Sequence, residues 1–433
     1  MNFFKRIYKI LSREGFLYLF KKTIVYKKNR DLEKFMAQKR WDKAVIVAEN
    51  LVKIFPDKLE YYQRLSRCFT MQGNDELASY TLYKGLKLII NPEKVIERLK
   101  WDIDSNSSMK SNYVYMGGEQ NLACIEHIKI VNGEVRKYLT KISTISGYER
   151  EKNFYLEIYN TYKQIREITP KLINFIEISA DNLALITMEE IEGTEPVLDM
   201  KTIKKAIKAN KSITSIKYSE IKNLIPITDE ELSIYGYKNP NHPIYFINSF
   251  VSIHKKSTNE QLFHLIYKKM KAKRYSPTSY ILMKRLEKII IDYELYNQFN
   301  PDLHYSLQHG DFYDYNMLVE KETNKLYILD WGSMRVGPSW GDLAGLFGQL
   351  KLPFYQINEL YLIDLDTSYY LDKVEKLFFI YTLIVTWFIV FTRNEFEEKQ
   401  NLFLLPAIEE VEAMAIEMIA NEKFIRQKVI RYE

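Results

Sequence analysis

Asp311, Asn316 and Asp330 have the types and the spacing to hold a hard cation and orient a hydroxyl. Residues 317–320 and 326–329 are short apolar runs separated by the polar turn Lys321-Glu322-Thr323-Asn324-Lys325, a hairpin signal. A hairpin brings its open ends together, so Asn316, just before the first strand, is expected beside Asp330, just after the second. An amide oxygen next to a carboxylate suits Mg²⁺, which keeps its other positions for water and phosphate oxygens. Asp311, in a polar loop ahead of Asn316, adds a carboxylate near the cation that can face a hydroxyl. A zinc site on His304, His309 and Asp311 has no further His or Cys nearby to complete a tetrahedral set. The other alternative is an ordinary polar hairpin in a helical domain.

His309-Gly310-Asp311, four residues, then Asn316, followed by Asp330-Trp331-Gly332 and Gly341-Asp342-Leu343-Ala344, resembles the aminoglycoside phosphotransferase and choline kinase family. The resemblance implies an α+β, bilobal protein-kinase-like fold: a small antiparallel-sheet lobe and a mainly helical lobe. It implies that Asp311 is the catalytic base, that Asn316 and Asp330 hold Mg²⁺, and that His309 braces the loop. The implied reaction moves the γ-phosphoryl of ATP to an alcohol hydroxyl of a small molecule or a sugar or glycan precursor. The usable motifs run from about residue 113 to 348, with the catalytic strip at 306–345.

Composition agrees with an ordinary globular protein. The chain has 433 residues, 46% apolar and 27% charged, enough for two or three domains with ample core. A net charge of +6 at this length does not make it a nucleic-acid binder. The charge is uneven, however: residues 1–30 hold nine Lys or Arg against one acid, Glu14. Cys68 and Cys124 are the only cysteines and imply no disulfide framework, which fits a reducing cytoplasm. The sixteen-residue uncharged run LFFIYTLIVTWFIVFT is short for a membrane span and reads as a buried helix.

Residues 1–30 read as a basic amphipathic helical segment, and residues 3–28 could lie on a membrane face or pack on the helices that follow. Residues 31–100 are helical and weakly repetitive. Trp41, Ala44 and Pro56, then Gly73, Ala78, Gly85 and Pro92, resemble tetratricopeptide repeats, which implies a protein partner. Two such units cannot bury a core alone, so docking on the first helices or on the kinase-like part is expected. Residues 101–112 are Ser/Asn-rich and read as a linker.

Residues 113–193 carry the order three strands, helix, two strands, with Asn132-Gly133 as a tight hairpin turn. Gly117 and Gly118 resemble the family's nucleotide-covering loop. Lys141 shares a strand face with Leu139, expected inward, and matches the family lysine that contacts the α- and β-phosphates. Glu151 is assigned as the acid that holds it, with Glu149 and Glu157 as competitors. Glu189, Glu190 and Ile191 match the hinge whose backbone reads adenine. Residues 194–433 are mainly helical; the connection from the hinge to His309 is expected to bring acceptor-binding elements, and the C-terminal acids or Trp387 could face a cationic acceptor, a solvated helix face explaining the acids equally well. A different class of function stays open: a catalytically inactive kinase-like scaffold that binds nucleotide or partner proteins.

Overall fold

A computed structural model describes residues 13–99, 108–115, 121–131, 133–224, 253–363 and 372–430. The chain forms two compact units, Met1–Glu149 with Lys171–Glu190, and Arg150–Pro170 with Ile191–Glu433.

The first unit opens with five helices: α1 (Arg13–Ala37), α2 (Trp41–Ile54), α3 (Leu59–Met71), α4 (Asp75–Leu86) and α5 (Pro92–Arg98). Side-chain caps set the later starts: Asn74 accepts from the Leu77 amide, and Asn91 accepts from the Lys94 amide with Pro92 in the first turn. Leu32, Ala48, Leu51, Leu65, Cys68 and Ala78 form the first apolar cluster. Small residues allow close approach, and a Cβ on Gly85 would lie 2.5 Å from Tyr62 Cβ. A second core joins Leu82, Leu86, Val95 and Leu99 to the sheet residues Tyr113, Ile125, Ile142 and Leu185. The helical segment thus buries its remaining apolar surface on the sheet, and Ser79 accepts the Tyr113 amide at 3.0 Å to pin the junction.

That sheet is antiparallel in the order β1-β2-β3-β5-β4, with β1 (Ser108–Val114), β2 (Asn121–Val131), β3 (Glu134–Thr144), β4 (Leu172–Ile178) and β5 (Leu183–Glu189). The expected linker therefore ends early: residues 108–112 are strand, while 101–107 lie outside the described residues. Ser and Asn are poor strand formers, but β1 is an edge strand, and its ladder to β2 outweighs local preference. The register Val131↔Glu134 confirms the two-residue turn.

Across four strands runs a buried polar chain. Ser111 Oγ meets His127 Nδ1 at 2.9 Å, His127 Nε2 meets Thr140 Oγ1 at 2.9 Å, and Thr140 meets Thr187 Oγ1 at 2.8 Å. Burial lowers the His127 pKa to about 4. Its unfolded value is about 6.5, so the unfolded chain takes up the proton first. Stability is accordingly complete above that value and falls as pH drops toward 4, by about 3 kcal/mol at most. Denaturant midpoints at neutral and acid pH should show this slope in the wild type and a weaker one in His127→Gln.

Helix α6 (Ile145–Asn153) begins in the first unit, ends in the second, and runs on into a π-helical turn, Phe154–Tyr159. A short sheet pairs β6 (Gly193–Thr194), β8 (Met317–Glu320) and β9 (Leu326–Ile328), and β7 (Tyr305–Gln308) pairs with β10 (Arg335–Pro338). The principal helices are α7 (Met200–Thr214), α8 (Lys256–Lys273), α9 (Pro277–Glu287), α10 (Gly341–Gln349), α11 (Lys373–Val390) and α12 (Leu404–Ile430). The uncharged run lies mostly within α11, which a capping box of Asp372 and Glu375 begins and which is buried from Leu377 to Phe388. Among the described residues no helix is long and apolar enough to cross a membrane. A five-stranded antiparallel sheet in one unit and a mainly helical second unit make up the expected kinase-like α+β fold, preceded by an all-α segment.

Candidate active site

The hairpin expected from sequence is the centre of the site. Met317↔Ile328 pairing and a 2.9 Å bond from the Leu329 amide to the Asn316 carbonyl bring the two strand ends together. Asp330 follows at once, in the left-handed region at φ 57°. Such a conformation is uncommon outside glycine, though Asp tolerates it, and it concentrates at functional turns. Asn316 Nδ2 donates to the Asp311 carbonyl at 2.8 Å and to Asp311 Oδ2 at 2.9 Å. Those two bonds point the amide nitrogen at Asp311, so the amide oxygen is turned away from it. One amide oxygen and one carboxylate at adjacent strand ends form a hard donor set that fits Mg²⁺. No group of three or more His, Cys, Asp or Glu able to hold a metal occurs among the described residues. His304 is engaged elsewhere, by the Asn300 amide at 2.9 Å and Asp372 at 3.0 Å.

The loop bearing Asp311 is held from behind. Asp342 accepts from the His309 amide at 2.7 Å and from the Gly310 amide at 3.0 Å, so it bonds the loop as well as opening α10. Burial raises its pKa, opposed by His309, Arg335 and the two amides. The His309 ring accepts from the Asp311 amide at 3.3 Å and reaches the Leu329 carbonyl at 2.8 Å. A carbonyl can only accept, so Nε2 carries the proton and the ring is a brace.

Gly310 has φ 83°, and a Cβ there would lie 2.0 Å from the Ser333 carbonyl oxygen. The obstruction is backbone and cannot swing aside. Gly310→Ala should cost about 3 kcal/mol or more in a denaturation experiment, and the Asp311 loop should be lost first.

Two partners of the loop were not apparent in the sequence. Tyr315 Oη donates to Asp311 Oδ1 at 2.7 Å. Burial, then its bond to the Asp311 carboxylate, pushes its pKa up. Trp331, fully buried, stacks on Phe154 with centroids 4.0 Å apart and meets the His309 ring edge-on at 4.8 Å. A hydroxyl four residues after Asp311, and an aromatic directly after Asp330, were the only signals available.

Residues 279–359 match the sequence model of the phosphotransferase enzyme family, a stretch that contains Asp311, Asn316, Asp330 and Asp342. That stretch is therefore similar to the phosphotransferase enzyme family. The comparison with curated proteins found no match. Among solved structures, the chain is similar to spectinomycin phosphotransferase in complex with ADP and spectinomycin, at 18% identity over 75% of this chain and 97% of that one, with a TM-score of 0.39. An ethanolamine kinase of Plasmodium vivax shows 17% identity over 78% and 89%, TM-score 0.39. The choline kinase LicA of Streptococcus pneumoniae shows 14% over 76% and 99%, TM-score 0.34.

The remaining candidates lie as follows. Lys141 lies in the middle of β3, directly opposite Cys124 and Ile186, both buried, and is itself half-buried. Its face is not the most deeply packed one, since Thr140 and Ile142 are fully buried on the other and Leu139 is only half-buried. Among the three competing acids, Glu151 is buried at 3% exposure while Glu149 and Glu157 are exposed. Glu189 and Glu190 already donate their amides, to the Lys171 carbonyl at 2.9 Å and the Lys137 carbonyl at 3.1 Å. Gly117 and Gly118 lie outside the described residues.

Trp387 is buried against Phe403 and cannot face an acceptor, because α11 is enclosed on nearly every side. Several C-terminal acids are paired: Glu395 with Lys351 at 2.8 Å, Glu410 with Lys376 at 2.8 Å, and Glu412 with Arg285 at 2.6 Å. Glu398 and Glu409 are exposed.

Proposed function

We propose that the domain transfers the γ-phosphoryl of ATP to an alcohol hydroxyl of a small molecule or a sugar or glycan precursor. The observation that supports this most is the arrangement of Asp311, Asn316 and Asp330, one carboxylate tied by hydrogen bond to an amide that adjoins a second carboxylate, inside the segment that matches the phosphotransferase family.

Asp311 binds and orients the acceptor hydroxyl and takes its proton. In a loose transition state that proton leaves late, so placing the hydroxyl matters more than basicity. Asn316 and Asp330 hold Mg²⁺, which supplies charge neutralisation for the phosphates when bound. Lys141 contacts the α- and β-phosphates, with Glu151, the buried acid of the three, as its anchor; Gly117 and Gly118 give backbone amides to the same phosphates. For the base, backbone groups of Glu189, Glu190 and Ile191 read adenine, the amides of Glu189 and Glu190 being already engaged.

The test is Mg²⁺-dependent consumption of ATP by the purified protein over a panel of aminoglycosides, choline, ethanolamine and simple sugars. Turnover with one acceptor names the substrate class. ATP binding without turnover supports an acceptor outside the panel or a non-catalytic scaffold, and failure to bind ATP sinks the reading.

A further inference from the structure

Both oxygens of the Asp311 carboxylate are occupied in the free protein. Oδ2 is held by Asn316 at 2.9 Å, and Oδ1 by the Tyr315 phenol at 2.7 Å. We propose that Tyr315 guards the base: its phenol sits on the Asp311 oxygen that an acceptor hydroxyl must reach, keeps water from that position, and yields only to a bound acceptor. This rests on the phosphotransferase reading above and goes beyond it.

The phenol stands in for the acceptor. It is an O–H group at hydrogen-bond distance from the carboxylate, which is the relation a reacting alcohol needs. Among the described residues it has little other anchorage: Tyr315 is 54% exposed, its ring makes a tilted approach to Tyr313 at 5.7 Å, and its hydroxyl bonds Asp311. A half-exposed ring contributes little to the core, and swinging it outward breaks one hydrogen bond. A water molecule arriving at Oδ1 gains only the bond that the tethered phenol already makes. A bound acceptor brings its other contacts as well, so it can displace the phenol where water does not.

The reaction suppressed is hydrolysis. A water oxygen forms a bond to the γ-phosphorus, the bond from that phosphorus to the β–γ bridging oxygen breaks, ADP leaves with the bridging electrons, and the water proton passes to Asp311. Phosphotransferases face this waste whenever ATP is bound and the acceptor is absent. Removing the guard should expose it.

The experiment needs no knowledge of the acceptor. Mg²⁺-ATP hydrolysis without acceptor is measured for the wild type, Tyr315→Phe, Asp311→Asn and the double variant, together with ATP affinity and intact mass. Loss of the guard raises hydrolysis by roughly fivefold, the change that one modest hydrogen bond corresponds to. ATP affinity stays unchanged, and the gain disappears in the double variant. A merely structural tyrosine would lower the rate or leave it alone, and either result overturns the proposal. So does a gain that survives in the Asp311→Asn background, or phosphate found on Tyr315 of the wild type, which would make the phenol itself an acceptor. If the wild type binds no ATP, the phosphotransferase reading fails and the guard falls with it. If ATP binds and Asp311→Asn slows hydrolysis while Tyr315→Phe changes nothing, only the guard is refuted.

Discussion

Asp311→Asn is expected to lower kcat by about 10³-fold with the acceptor that supports turnover, the middle of the range for loss of a general base. The substitution keeps the size of the side chain and removes its charge. Asn316 Nδ2 donates to Asp311 Oδ2 and Tyr315 donates to Oδ1, so the native side chain accepts on both sides. An asparagine can accept on only one, and its own amide then faces another donor. The loop still stands, because the bonds from the His309 and Gly310 amides to Asp342 do not involve the Asp311 side chain. Binding of ATP should therefore be close to wild type, and KM for the acceptor should change much less than kcat. Steady-state kinetics and a thermal melt make the distinction. A melt near the wild type with kcat reduced at least a hundredfold supports the assignment of the base, and a variant that retains a tenth of its turnover removes it.

The parts of this site that were legible in the sequence are those whose geometry is local. A polar turn between two apolar runs dictates a hairpin, and a hairpin puts Asn316 beside Asp330 without knowledge of anything else in the fold. The role of Asp342, which accepts from the His309 and Gly310 amides, needed coordinates. Strand β1 runs into the expected linker because an edge ladder imposes strand on Ser and Asn that local preference assigns to a loop. What stayed hidden depends on side-chain direction across the fold. Period-two alternation put Lys141 on the face of Leu139, but it could not show that the neighbouring face, with Thr140 and Ile142, is buried more deeply. Glu149, Glu151 and Glu157 differ in burial only once the helix is rotated by its packing, with Phe154 stacked on Trp331. Trp387 looked like a ligand-facing aromatic because nothing in a sequence separates a buried tryptophan from an available one. Tyr315 was read past for a similar reason: its proximity to Asp311 is set by the one-turn helix Asp314–Asn316, which no propensity announces.

Loss of Asp330 should be more damaging than loss of Glu151. Asp330 is the charged member of the pair proposed to hold Mg²⁺, and without it the amide oxygen of Asn316 alone is a weak ligand for a cation that gives up water reluctantly. Asp330→Ala should then reduce turnover by about four orders of magnitude, equivalent to several kcal/mol of transition-state stabilisation. Raising Mg²⁺ should recover part of it, since the variant weakens occupancy before it alters the remaining groups. The backbone gives a second reason to expect a well-folded variant with a local defect. Asp330 sits at φ 57°, where alanine is strained by about 1 kcal/mol, too little to unfold a domain of this size. Glu151 is proposed to act at one remove, as the anchor of Lys141. Glu151→Gln keeps the hydrogen-bonding shape of a buried side chain, so Lys141 is misplaced rather than lost, and a cost of about 10²-fold is expected. Its Mg²⁺ dependence should match the wild type. The two variants are compared by titrating Mg²⁺ at saturating ATP: a shift of the midpoint in Asp330→Ala and none in Glu151→Gln separates metal binding from lysine placement. Equal shifts in both would remove the distinction between the two acids and return the assignment of Asp330 to question.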